Sequence, residues 1–80
     1  MAKYIATFHT HLAALMTSRA LGSAGVRAQM APVPRVLSSS CGTCVRYEAD
    51  TPMLDAMDED VERVYCIEAD ERYELILENE

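Results

Sequence analysis

Residues 51–64, Thr51-Pro-Met-Leu-Asp-Ala-Met-Asp-Glu-Asp-Val-Glu-Arg-Val64, decide the architecture. Thr51 followed by Pro52 is a cap-then-first-turn signal. Behind it Leu54, Met57, Val61 and Val64 recur at helical spacing, which predicts a second helix, apolar on one side and acidic on the other. Residues 64–68 then supply a strand, with Cys66 beside Val64 on one face and Tyr65 and Ile67 on the other. Residues 73–77 fit either a further short strand or a helical turn.

Working back along the chain, Val45 and Tyr47 alternate with Cys44, Arg46 and Glu48, which reads as a strand with Cys44 on its more polar side or at its entrance. Residues 26–30 alternate in the same way, Val26, Ala28 and Met30 against Arg27 and Gln29, and run into Pro32. Residues 3–8 are rich in strand formers. Thr10 can cap a helix in which Ala13, Met16, Ala20, Leu21 and Ala24 form a stripe, with Gly22 and Gly25 marking its end. Strand, helix, strand, strand, helix, strand is the split βαβ pattern. The sequence therefore predicts an α+β ferredoxin-like βαββαβ sandwich, a four-stranded antiparallel sheet with two helices on one face.

At 80 residues this is a single domain, 1–80, able to bury about 60% of the surface of its unfolded form. Seven basic residues against thirteen acidic ones give a net charge of −6, which is not a nucleic-acid footprint. Most of the acids lie in the latter part of the chain, including an acidic C-terminal segment at 70–80. They read as a solvated surface, with a docking surface for a basic partner as the alternative. No apolar run is long enough to span a membrane, and the N-terminus lacks the pattern of an export signal, so a cytoplasmic location without membrane association is expected. Three cysteines, an odd number, do not suit a disulfide scaffold.

The distinctive chemistry sits in the loop at 31–43. Pro32, Pro34, three consecutive serines and Gly42 resist regular structure, so Cys41 belongs on a loop rather than in the core. A connection this long in a compact domain tends to be functional or disordered. Gly42 permits a close backbone approach or a turn that gathers amide groups. Those amides, the hydroxyls of Ser38, Ser39 and Ser40, and the Arg35 guanidinium are the kinds of group that stabilise a sulfur anion. The predicted topology brings His9 and His11 to the same sheet edge. There His9 can serve as base or imidazolium partner for Cys41. Cys41 and Cys44 form a Cys-x-x-Cys pair, which also suits a thiol-redox module or, with His9 and His11, a zinc site of unusual spacing. No resident cofactor or metal is expected, and a non-catalytic interaction domain remains the bland alternative.

Tyr4-Ile-Ala-Thr-Phe-His9, Leu21-Gly-Ser-Ala-Gly-Val26, Met30-Ala-Pro-Val-Pro-Arg35, Ser38-Ser-Ser-Cys-Gly42 and Val45-Arg-Tyr47 together resemble a small bacterial family, the selenium/sulfur carrier-like domain. The resemblance implies that Cys41 accepts a sulfur or selenium atom as a persulfide or selenopersulfide and passes it on. That would make the protein a carrier or accessory protein more than a stand-alone enzyme. Pro34, Arg35 and Gly42 match the surroundings of the family's cysteine, whereas Cys44 is a departure and a candidate resolving thiol. The implied partners are a donor such as a cysteine desulfurase and an acceptor protein, and a sheet edge leaves homo-oligomer formation open.

Overall fold

The computed structural model describes residues 1–79; Glu80, the end of the acidic segment, lies outside the described residues. Five strands, β1 (Ala2–Phe8), β2 (Arg27–Pro32), β3 (Thr43–Ala49), β4 (Val61–Ile67) and β5 (Tyr73–Glu78), form one sheet in the order β2-β3-β1-β4-β5. Every neighbouring pair is antiparallel. Among the described residues a single α-helix, α1 (His11–Ser23), connects β1 to β2. These two strands are parallel with β3 between them, so β1-α1-β2 is a split βαβ unit.

The predicted second helix does not form, and with it the two-helix βαββαβ sandwich is overturned. Residues 50–60 contain only a 3-10 turn, Leu54–Ala56, entered through Met53 in the left-handed region at φ 54° and left through Met57 in extended backbone. The helical spacing had a different cause. In the β1/β4 register Thr7 faces Arg63 and Phe8 faces Val61, so Glu62 is an extra residue, a β-bulge. The bulge puts Val61 and Val64 on the same face of the sheet although they are an odd number apart. Both are buried, 5% and 0% exposed, while Leu54, assigned to the same stripe, is 41% exposed. An interrupted period of two thus imitates a helical period.

The undecided segment after β4 becomes the edge strand β5. Its hairpin is closed by Glu68 N–H donating to Arg72 O at 2.8 Å. Asn79 fastens its far end: the backbone N–H donates to Glu62 O at 2.9 Å, and Nδ2 donates to Val61 O and Glu59 O. The bulged carbonyl is thereby satisfied.

One sheet face carries the core. Tyr4, Ala6 and Phe8 of β1, Val45 and Tyr47 of β3, and Val61 and Val64 of β4 pack with Ala13, Ala14 and Leu21 of α1. Thr10 caps α1 as its sequence suggests, accepting from Ala13 N–H at 3.1 Å. The helix is rotated from the predicted stripe, however. Ala13, Ala14, Thr17 and Leu21 are buried, while Met16 and Ala20 are exposed. Thr17 Oγ1 accepts from Asp58 N–H at 2.9 Å and so fixes the helix against the 50–60 crossover. Small residues at 13 and 14 let α1 approach the sheet closely.

Two expectations test this packing. Thr7 is fully buried and its hydroxyl has no partner among the described residues. Thr7→Val should therefore be neutral or stabilising by up to about 1 kcal/mol, read from urea midpoints. Tyr47 donates its hydroxyl to Pro52 O, and burial, followed by the proximity of Tyr4, pushes its ionisation up. Below the ordinary tyrosine value of about 10 both states are protonated and the stability is complete; above it the unfolded chain ionises first, and stability falls as pH rises towards the raised folded value. Tyr47→Phe should cost about 1 kcal/mol at neutral pH, and that difference should shrink in alkali.

Candidate functional site

Residues 33–42 form the loop between β2 and β3, slightly shorter than 31–43 because β2 continues to Pro32. Pro32 is tolerated there since β2 is an edge strand. Val33 N–H donates to Gly42 O at 3.1 Å across the loop base, and Leu37 N–H donates to Pro34 O at 3.0 Å to make a turn. Gly42 has φ +75°, a conformation that costs an L-residue roughly 1–2 kcal/mol. A side chain there would meet open space, so the glycine answers a backbone need rather than a tight contact.

The loop is fastened to the sheet end by its serines. Ser39 Oγ donates to Phe8 O at 3.0 Å. Ser40 uses both its donors on Glu62: the N–H reaches Oε1 at 3.3 Å and the hydroxyl reaches Oε2 at 3.0 Å. His9 Nδ1 lies 3.3 Å from Ser40 Oγ and 3.7 Å from Glu62 Oε2. With the Ser40 proton committed to Glu62, His9 completes the network by donating from Nδ1. His11 Nδ1 stands 3.3 Å from Thr43 Oγ1 on the other side of Cys41. Both histidines therefore meet the loop, but through hydroxyls that flank the cysteine.

Cys41 is partly exposed. Its Sγ lies 3.9 Å from Ser39 Oγ and donates to Thr43 O at 3.5 Å. One side of the residue packs against the helix-side core. Cys44 points to the opposite face of β3, where it is fully buried and donates to Pro32 O at 3.6 Å. Burial pushes the Cys44 thiol up, opposed by Arg46 and reinforced by Cys41. Cys66 is partly exposed as well; burial, then Glu68 and Glu74, push its thiol up. Arg35 is exposed on the turn and makes no ion pair among the described residues.

The residues considered for zinc do not converge. His9 is turned to Ser40 and Glu62, His11 to Thr43, and Cys44 to the far face. Among the described residues no group of three or more metal-ligating side chains comes together. Glu62 is the site residue that sequence reasoning missed. The available signal was Val61-Glu62-Arg63-Val64, two buried valines at odd spacing beside a strand pattern, which marks a bulge and a re-aimed side chain.

Fold and site together define a small single-sheet α+β domain presenting a thiol on a fastened loop. The chain belongs to a carrier-like family: the family model described as "Putative Se/S carrier protein-like" matches residues 3–63. That span contains Cys41, its serines, both histidines and Glu62, whereas Cys66 and β5 lie beyond it. No curated protein and no solved structure matches the chain. No helix among the described residues is long and apolar enough to cross a membrane.

Glu62→Ala should release Ser40 and loosen the loop. The expected result is a loss of about 1–2 kcal/mol in stability together with faster alkylation of Cys41 by iodoacetamide. An unchanged alkylation rate would show that the carboxylate does not control the loop.

Proposed function

We propose that the protein carries a sulfur or selenium atom on Cys41 and hands it to a partner. The observation behind this reading is that Cys41 alone of the three cysteines combines partial exposure with a place within the family match. Cys44 is buried and Cys66 stands among glutamates outside the matched span.

In the loading step the Cys41 thiolate attacks the outer sulfur of a donor persulfide, R–S–SH. A bond forms between Sγ and that sulfur, the donor S–S bond breaks, and R–S⁻ departs, leaving Cys41–S–SH. Nothing is oxidised or reduced overall, since one sulfane sulfur has changed owner. Delivery repeats the exchange: an acceptor nucleophile takes the terminal atom and Cys41 leaves as thiolate. Ser39 can rotate its hydroxyl from Phe8 O towards the sulfur 3.9 Å away, giving the anion a donor. The N–H groups at the Gly42 turn are the nearest further donors in sequence. His9 holds Ser40, the residue before Cys41, and so acts through position. A donor of the cysteine desulfurase type and a nucleophilic acceptor are the partners this chemistry needs.

Cys44 has no part in this cycle, because a buried thiol held in its protonated form is a poor nucleophile. Intact-mass measurement after incubation with a cysteine desulfurase and cysteine should show one added sulfur on the wild type and on Cys44→Ser, and none on Cys41→Ser. Loss of loading in Cys44→Ser, with the fold intact, would transfer the role to the cysteine pair.

A further inference from the structure

The helix covers only one side of the sheet. On the other, Lys3 and Arg27 flank Glu48 across β1, β3 and β2, and Arg46 stands between Ile5 and Gln29 in the next row. None of these three cations takes part in an ion pair among the described residues. They surround a cavity of about 210 Å³ whose apolar wall is Ile67. Beyond Ile67 the same face turns apolar, with Tyr65 and with Leu75, which is 48% exposed. A chain of net charge −6 thus gathers three cations around the single carboxylate of Glu48, beside an apolar strip on the face the helix leaves uncovered.

We propose that this face docks an acidic amphipathic segment of a partner protein, its carboxylates on Lys3, Arg27 and Arg46 and an apolar anchor against Ile67 and Leu75. Charge complementarity selects the occupant. A second copy laid face to face would set two patches of three cations and one carboxylate, each net positive, against one another. A polynucleotide would be repelled along its whole length by the net charge, and Tyr65 is engaged edge-on with Tyr73, at 6.2 Å and 74°, rather than free to stack on a base. A short segment with a few carboxylates fits the cations without that penalty. Lys3 lies five residues from Phe8 on β1, about 17 Å at ~3.4 Å per residue, so docking leaves the Cys41 loop at the other end accessible. The inference does not depend on the cargo.

The test is an amide-resolved NMR titration of the full chain with a synthetic helical peptide bearing leucine on one face and glutamate on the other. Its lysine counterpart serves as control, and both Cys41→Ser and wild-type protein are used so that docking and carrying fail separately. Saturable shifts centred on Lys3, Arg27, Arg46 and Ile67 are expected, weakening with ionic strength. The triple neutral variant Lys3→Gln, Arg27→Gln, Arg46→Gln should bind about tenfold more weakly with its thermal midpoint retained. The proposal is overturned by an absence of saturable shifts, by equal binding of the lysine peptide, or by tighter binding of oligouridylate. A dimer abolished by Leu75→Asp would also overturn it, since the face would then be a self-interface.

Discussion

Glu62 is the one residue too many in β4, and much of the molecule depends on that insertion. The extra residue lets Val61 and Val64 enter the same core across from Phe8 and Ala6, which the strict alternation of an unbroken strand would forbid. It also frees the Glu62 carboxylate from the sheet and aims it at Ser40. Asn79 closes the irregularity from the other side by donating to the Glu62 carbonyl. A single departure from regular pairing therefore joins core, edge strand and cysteine loop: the inserted backbone serves the first two and the Glu62 carboxylate the third.

The parts of the fold that could be read in the sequence are those whose local signals agree with their final environment. Residues 3–8, rich in strand formers, and the alternating stretches 26–30 and 44–48 give strands, β2 beginning one residue late at Arg27, and Thr10 announces the helix it caps. The failure at 51–64 arose because two short pieces with different structures supplied one continuous apolar period. The α1 stripe was misjudged for a related reason: the buried face is chosen by the small Ala13–Ala14 pair and by the Thr17 hydroxyl meeting Asp58, not by the larger Met16. Hydrophobic size favoured Met16, while close approach to the sheet favoured alanine. Tertiary contacts decided the outcome in both places.

The loop shows a similar division. Proline, serine and glycine located an irregular segment around Cys41 correctly, since their backbone preferences act locally. Their partners did not follow from the same signals. His9 meets Ser40 and not the sulfur, and Glu62 arrives from a distant part of the chain. The sequence set Cys41 on the loop apart from Cys44 and Cys66 in strands, but it put Cys44 on the more polar side of its strand or at its entrance. Cys44 is one register step inside β3, on the uncovered face yet fully buried, and Cys41 lies just outside that strand, where its sulfur keeps an open side. Exposure thus divides at the mouth of β3, a boundary set by backbone pairing.

Pro32 and the glutamates of β5 have a further consequence at the level of the population of molecules. The two outer strands would otherwise offer rows of unmatched peptide groups to passing chains. Pro32 removes an N–H from one, and exposed Glu74 and Glu78 place charges along the other. A growing stack of sheets would lose a hydrogen bond at every copy on one side and accumulate repulsion on the other. So small a protein has little stability to spare for temporary opening. Protection against edge-to-edge pairing is therefore written into the outline of the sheet, where it works even when the core is briefly loosened.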